Sequence, residues 1–196
     1  MSKTRTFIAI ALSPEALASL ADYTRQLRTR PEGQACRWAD LDTVHLTLRF
    51  LGDVDAARLH QVYKASDQAA RQGAPFSLDI TGLGCFPNTR QPRIVWAGVG
   101  QGSNNLETLA RDLEREVQSI GFEPERRPYH PHITLGRARR GAPRDQIASL
   151  GQVIAGWPKE TVATLDVREI IVFGSELTPA GPIHTRMHES PLRTSP

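Results

Sequence analysis

The sequence predicts an α+β fold, with strands and amphipathic helices mixed along one chain of 196 residues. Segments with apolar residues at alternate positions indicate half-buried strands, and segments with apolar residues three and four positions apart indicate helices. Read in order, the elements are β-α-β-β-α-β-β-α-β-α-β-β-β. This mixture is typical of α+β proteins, or of α/β proteins with mostly antiparallel sheets.

Capping and turn residues delimit the elements of the first half. Ser13 and Pro14 are an N-cap and a first-turn proline, a sequence around Pro31 ends the helix that they start, and Gly73 ends the second helix. The predicted elements are strand 7–12, helix 14–30, strands 36–38 and 44–51, helix 56–72 and strand 76–80.

Glycine and proline divide the second half in the same way. Residues 81–92 are predicted to form a loop, Gly121 to stop a helix, and residues 123–129 to be irregular. A turn at 178–181 joins the last two strands, and the tail 192–196 is expected to fray. The predicted elements are strand 93–99, helix 103–120, strand 130–137, helix 142–155 and strands 162–167, 169–176 and 183–189.

Composition excludes several classes of protein. With 39% hydrophobic and 23% charged residues the chain is typical of globular proteins, and a net charge of +3 is too small to predict a nucleic-acid binder by itself. Cys36 and Cys85 are far apart and suggest neither a disulfide framework nor a zinc site. The apolar run 7–12 is too short for a signal peptide, and no later segment could span a bilayer. A cytoplasmic protein is therefore expected.

The segment VHLTLRFLG, residues 44–52, carries a histidine and a threonine two positions apart. In a strand, alternate residues share a face, so His45, Thr47 and Arg49 are predicted on one face. The opposite face is predicted to pack in the core, through Leu46, Leu48 and Phe50.

The segment HPHITLGR, residues 130–137, repeats this pattern with His132 and Thr134, 87 residues after the first pair. The repeat predicts a single domain, residues 1–196, made of two pseudo-symmetric lobes with one motif in each. The two pairs would then face each other across a cleft.

Two imidazoles and two hydroxyls in one cleft suit phosphodiester cleavage without a metal. One histidine can deprotonate water while the other protonates the leaving oxygen, since the imidazole pKa lies near neutrality. The threonines can donate hydrogen bonds to the non-bridging oxygens, and arginine can hold the remaining charge.

These motifs resemble the paired H-x-T-x motifs of the two-histidine (2H) phosphoesterases. The surrounding segments RWADLDTVHLTLRFLGDVD, LGCFPNTRQPRIVWAGV, GFEPERRPYHPHITLGRAR and FGSELTPAGPIHT resemble the bacterial RNA 2',3'-cyclic phosphodiesterases, first described as 2'-5' RNA ligases. The similarity extends over nearly the whole chain, from Phe7 to about Leu192.

The resemblance implies a bilobal fold with two mostly antiparallel sheets lining a cleft and helices outside. It implies hydrolysis of 2',3'-cyclic phosphate RNA or tRNA-fragment ends to 2'-phosphates, with a reverse 2'-5' ligation that needs no ATP and no cofactor. His45 would be the general acid and His132 the general base, an assignment that rests on the family alone, and Thr47 and Thr134 would grip the phosphate. A monomer without obligate protein partner is expected.

Six arginines surround the second motif and are expected to attract RNA ends. Arg127 and Arg137 are the favoured phosphate contacts, although Arg137 has the opposite strand parity from His132. Phe50 and Phe86 are candidates for stacking on a base, with core packing as the alternative. The six arginines are Arg126, Arg127, Arg137, Arg139, Arg140 and Arg144.

The remaining histidines leave alternatives open. His130 shares a face with His132 and rivals it for catalysis, and the two could instead ligate a metal, though no further ligand completes an obvious set. Structural or surface roles are expected for His60, His184 and His188. For the protein as a whole, the alternatives are hydrolysis of small cyclic nucleotides or ADP-ribose cyclic phosphate, and non-catalytic binding of RNA ends.

Overall fold

Within the part of the chain that the structure describes, nine strands pair antiparallel throughout and form one sheet. The computed structural model describes residues 2–179 and 181–193. The strands are β1 Lys3–Ala11, β2 Cys36–Trp38, β3 His45–Asp55, β4 Phe76–Phe86, β5 Ile94–Val99, β6 His132–Ala138, β7 Thr161–Val167, β8 Glu169–Thr178 and β9 Gly181–Pro191. The helices are α1 Pro14–Arg28, α2 Leu59–Gln72, α3 Ser103–Ser119 and α4 Arg144–Ala155. The order of the strands in the sheet is β7-β4-β5-β6-β3-β1-β8-β9, and β2 also pairs with β6.

The order of elements agrees with the prediction, and the α+β class with antiparallel sheets is confirmed. Helix α1 begins as its sequence indicates: the Ser13 hydroxyl accepts a hydrogen bond from the Ala16 N–H at 3.2 Å, and Pro14 takes the first helical position. Leu20 and Leu27, seven residues apart, are buried. Most other ends differ from the prediction by only a few residues.

The sheet consists of two halves that meet between β3 and β6. One half is β3-β1-β8-β9 and the other is β7-β4-β5-β6 with β2. Among the described residues, strand pairing between the halves is confined to one position, Leu46 with Ile133, and both side chains are completely buried. Helices α2 and α3 pack on the face that Leu46 and Ile133 share, so the main core lies there.

The predicted loop 81–92 is wrong over its first six residues, because β4 continues to Phe86. Gly84, one of the glycines that suggested a loop, allows a close approach of Trp96 instead. A Cβ atom on Gly84 would lie 2.1 Å from Cη2 of Trp96, which covers the strand there. Gly82, with φ of +55°, lies at a register shift in the pairing of β4 with β5. The strand therefore needs glycine at positions 82 and 84, although the chain makes no turn there.

The predicted fraying of the tail is wrong for its first two residues. Leu192 is 4% exposed, and its N–H donates to the carbonyl oxygen of Arg168 at 2.8 Å. The N–H of Arg193 donates to the Gly73 carbonyl oxygen. Residues 194–196, and Ala180 in the predicted turn 178–181, lie outside the described residues. Within the described ranges, no helix is long and apolar enough to cross a membrane.

Candidate active site

The two His-x-Thr motifs lie side by side where the halves of the sheet meet. Because Leu46 pairs with Ile133 on antiparallel strands, this register places His45 beside Thr134 and Thr47 beside His132. These four side chains project from the face opposite to the buried pair. The junction thus assembles two imidazoles and two hydroxyls on one surface.

Both imidazoles are held in the same way. Nδ1 of His45 bonds the carbonyl oxygen of Thr43 at 2.8 Å, and Nδ1 of His132 bonds the carbonyl oxygen of His130 at 2.7 Å. A carbonyl oxygen only accepts, so each Nδ1 carries the proton. Each Nε2 is then the unprotonated ring nitrogen, the one that can accept a proton or a hydrogen bond from a bound molecule.

A β-bulge follows the first motif and corrects the predicted faces. Ala9 pairs with Thr47 and Ile8 with Arg49, so Leu48 is an extra residue. Because of the bulge, the residues after Leu48 lie on the opposite faces from those predicted. Arg49 lies on the face of the sheet that the helices cover, where its Nε is 2.6 Å from Oε2 of Glu114 in α3. Phe50 lies instead on the histidine side.

The predicted core position of Phe50 is therefore wrong. Phe50 pairs with Phe7 across the strands, its ring is parallel to that of Phe7 at 6.0 Å, and it is 42% exposed. The Arg5 guanidinium lies 4.7 Å from its centroid. An exposed ring on the face of the two histidines is available for stacking.

A second bulge follows the second motif at the equivalent position. Trp96 pairs with Thr134 and Val95 with Gly136, so Leu135 is the extra residue. Arg137 then pairs with Ile94 and returns to the face of Thr134 and His132. Arg137 was predicted on the face opposite to His132, and this prediction is wrong. It assumed a strict alternation of faces along the strand, which the bulge interrupts.

His45 lies among aromatic rings. It stacks on Phe7 with centroids 4.5 Å apart, and His184 meets it edge-on at 5.2 Å. The pKa of His45 is lowered to about 4, chiefly by burial and to a lesser extent by the nearby His184 and His132, against the opposing effect of the hydrogen bond to Thr43. The role expected for His184 was structural or at the surface, whereas the structure places it against a motif histidine.

His132, like His45, lies among aromatic rings. Phe86 and Trp96 lie at 5.0 and 6.2 Å between centroids, and the exposed His130 contacts the same two rings. Burial lowers the pKa of His132, and the charges of His130 and Arg137 add to this effect. Both motif histidines are thus neutral near pH 7 in the free protein.

Two residues that were not predicted as site residues, Tyr129 and Arg49, connect the motifs. The Tyr129 hydroxyl donates to the carbonyl oxygen of Thr47 at 3.1 Å, from three residues before His132. Arg49, besides Glu114, lies 3.7 Å from Glu125 and donates to the Glu123 carbonyl oxygen. The segment leading to the second motif is thereby fastened to the first. The sequence signal for Tyr129 was its proximity to His132, whereas Arg49 was noted in the first motif strand but predicted on the wrong face.

The predicted phosphate contact Arg127, and two histidines expected to have structural or surface roles, lie in other surroundings. Arg127 is 87% exposed in its side chain and pairs with Glu125. His60 is exposed on α2, and Nε2 of His188 pairs with Asp67 at 2.8 Å. In the part of the chain that the structure describes, no group of three or more histidine, cysteine, aspartate or glutamate side chains could hold a metal ion. His130 and His132 therefore have no third metal ligand beside them there.

The sequence profile of the family described as LigT like Phosphoesterase matches residues 10–96 and again residues 98–184. Each match contains one His-x-Thr motif. The chain belongs to this family. The LigT-like phosphoesterase is 35% identical over 185 residues to a Methanothermobacter thermautotrophicus protein named RNA 2',3'-cyclic phosphodiesterase, covering 94% of this chain and 97% of that one.

Solved structures of similar proteins agree with this assignment. A Thermus thermophilus protein matches with a TM-score of 0.80 and 28% identity, over 96% of this chain and 98% of that one. E. coli LigT complexed with 3'-AMP matches with a TM-score of 0.77 and 26% identity, over 98% of this chain and 100% of that one. The LigT-like phosphoesterase therefore shares both fold and length with these proteins.

Proposed function

We propose that this phosphoesterase hydrolyses RNA 2',3'-cyclic phosphate ends to 2'-phosphomonoesters, without a metal ion. The observation that carries the proposal is the pair of imidazoles at the junction, each with Nδ1 bonded to a carbonyl oxygen and Nε2 left for substrate. The name of the Methanothermobacter relative and the 3'-AMP bound to E. coli LigT support an RNA end as substrate.

In this mechanism Nε2 of His132 takes a proton from water, and the water oxygen attacks phosphorus. The bond from phosphorus to the 3' oxygen breaks, and Nε2 of His45, protonated beforehand, gives its proton to that oxygen. The hydroxyls of Thr47 and Thr134 donate to the non-bridging oxygens, whose charge grows in the transition state. When a 5'-hydroxyl replaces water as the nucleophile, His132 takes the proton of that hydroxyl, the bond from phosphorus to the 3' oxygen breaks, and His45 protonates the 3' oxygen. The product is a 2'-5' linkage, and no ATP is needed because the cyclic ester is already activated.

The depressed histidine pKa values predict an acidic optimum for kcat/KM. Turnover needs His45 protonated, which fails as the pH rises above its pKa of about 4, and His132 neutral, which fails as the pH falls below its own lowered pKa. The optimum for the free enzyme then lies between two values that are both below the ordinary 6.5. The kcat optimum should lie higher, since a bound phosphate anion raises both pKa values.

Initial rates from pH 4 to 8, at substrate concentrations below and above KM, would measure both optima. A kcat/KM optimum above pH 7 would contradict this assignment of protonation states.

The reaction itself is tested by product analysis. Purified protein in EDTA is incubated with an oligoribonucleotide ending in a 2',3'-cyclic phosphate, and chromatography against 2'- and 3'-phosphate standards identifies the product. We expect the 2'-phosphate. Turnover only after addition of a divalent ion, or a 3'-phosphate product, would refute the mechanism. Tight binding without product in a single-turnover experiment would instead indicate a binding module.

We further propose a cytoplasmic monomer of two pseudo-symmetric lobes. The family profile matches the chain twice, and the two bulges occupy the same position after each motif, which supports two related lobes. Cys36 and Cys85 are both free and buried, as suits a reducing compartment. Light scattering of the purified protein would test the monomer.

A further inference from the structure

A cavity of about 490 Å³ lies on the face of the sheet opposite to the catalytic histidines. It is bounded by the end of α1, by β2, and by the short segments before and after β2. Cys36, which lines it from β2, packs in one cluster with Val95 of β5. Val95 precedes Trp96, which lies beside His132, so the cavity and the second motif occupy opposite faces. Its volume is in the range of small-molecule sites.

Two arginines line this cavity, and neither is neutralised by an acidic side chain. They are Arg28, at the end of α1, and Arg139, just after β6. Within residues 2–179 and 181–193 neither forms an ion pair. Burial raises the pKa of the Cys36 thiol in the cavity wall to about 12, and the charges of Arg139 and Arg28 oppose that effect. Both guanidinium groups therefore lie near the same part of the wall.

The hydrogen bonds of these arginines position them and leave donors free. Nη2 of Arg28 donates to the Ala39 carbonyl oxygen at 2.9 Å, and Nε of Arg139 donates to the Gln34 carbonyl oxygen at 3.0 Å. Nε of Arg28 is buried and, in the part of the chain that the structure describes, has no hydrogen-bond partner. A buried donor without a partner destabilises a protein, and an anion in the cavity would supply the acceptor.

Two further side chains give the cavity the features of a nucleotide site. The indole of Trp38 lines it and is fixed, because its Nε1 donates to the Gly33 carbonyl oxygen at 3.1 Å. A fixed aromatic ring is a surface on which a base can stack. Asp40 also lines the cavity, and its Oδ1 accepts from the N–H of Asp42. Its second carboxylate oxygen can accept a hydrogen bond from a hydroxyl or amino group.

We propose that this cavity binds a nucleoside monophosphate, separately from the catalytic site. The phosphate lies between the guanidinium groups of Arg28 and Arg139, since each guanidinium can donate two parallel hydrogen bonds to phosphate oxygens. The base stacks on Trp38, and a ribose hydroxyl donates to Asp40. A bare phosphate ion would use the arginines alone. The inference goes beyond the proposed function, because none of these four side chains takes part in the hydrolysis.

Nuclear magnetic resonance can separate the two sites, because the three tryptophans lie in different places. The indole N–H of Trp38 reports on the cavity, and that of Trp96 on the surroundings of His132. Trp157, which packs against Tyr23, lines neither site. The full chain is titrated with 5'-AMP while the three indole signals are followed. We expect a saturable shift of the Trp38 signal, no shift of it with adenosine, and competition by inorganic phosphate.

Arg139→Ala is expected to weaken the binding of 5'-AMP read at Trp38 about tenfold, as for the loss of one charge-assisted contact. The affinity read at Trp96 should change less than twofold. Arg139→Gln keeps an N–H donor for the Gln34 carbonyl oxygen and loses the charge, so it should weaken binding as much. This variant separates the loss of the charge from a loosening of the segment before β2.

Arg140→Ala is the matched control, because Arg140 is the next residue, is exposed, lies outside the cavity lining and carries the same charge. Its affinity at Trp38 should stay within twofold of wild type. A Trp38 signal that does not move with 5'-AMP, or moves equally with adenosine, overturns the inference. So does an equal loss of affinity in Arg139→Ala and Arg140→Ala. The rate on a cyclic-ended oligonucleotide, measured separately, decides the proposed function.

Discussion

Replacing His45 or His132 by asparagine is expected to lower kcat by about 10²–10⁴-fold, the usual contribution of one general acid or base. Each Nε2 is the only atom of its side chain left for proton transfer, since each Nδ1 is engaged with a carbonyl oxygen. Asparagine keeps a donor near that carbonyl and loses Nε2. Single-turnover rates with a cyclic-ended oligonucleotide would measure the loss.

His130→Asn is the matched control for this experiment. His130 contacts the same Phe86 and Trp96 rings as His132, but it is exposed, and the backbone carbonyl that bonds Nδ1 of His132 is retained. We expect less than a tenfold loss. The double variant of His45 and His132 should be little slower than either single one, because acid and base act as one unit. Wild-type rates in either single variant, with near-wild-type circular dichroism, would refute the assignment.

Ile133→Ala is expected to destabilise the protein by about 2–5 kcal/mol, the range for removing a fully buried aliphatic side chain. Ile133 is completely buried, and with Leu46 it forms the pair that joins the two halves of the sheet. For a chain of this length a loss of about 3 kcal/mol corresponds to a Tm lower by roughly 6–12 °C. Thermal and urea unfolding would measure the change.

The same substitution tests how the motifs are held together. A cavity between Leu46 and Ile133 loosens the spacing of His45 and His132, so kcat should fall as well, well below the unfolding temperature. Ile133→Val is the control, since it keeps the β-branch and typically costs about 0.5–1.5 kcal/mol. A Tm within about 2 °C of wild type for Ile133→Ala would show that the junction does not depend on this contact.

The element order and the two motifs were predictable because they depend on local patterns. Ser13 and Pro14 start α1 wherever that segment lies in the fold, and a His-x-Thr pair on an extended chain shares one face. The junction itself was not predictable. Nothing in either motif states that Leu46 pairs with Ile133, since this contact joins residues 87 positions apart.

The β-bulges mark the limit of local reasoning most clearly. Strict alternation put Phe50 in the core and Arg137 away from His132, and both expectations were wrong because Leu48 and Leu135 are extra residues in their strands. A bulge depends on the register with the neighbouring strand, which the strand's own sequence does not contain.

His184 was missed for a related reason. It reaches His45 only because β9 pairs with β8, β8 with β1 and β1 with β3. By itself, the sequence determined the chemistry available to this protein. It supplies two imidazoles and two hydroxyls, on strands whose opposite, apolar faces become buried in the core. Only the tertiary structure decided which atoms meet, because pairing between distant strands sets the register that turns Phe50 and Arg137 toward the histidines.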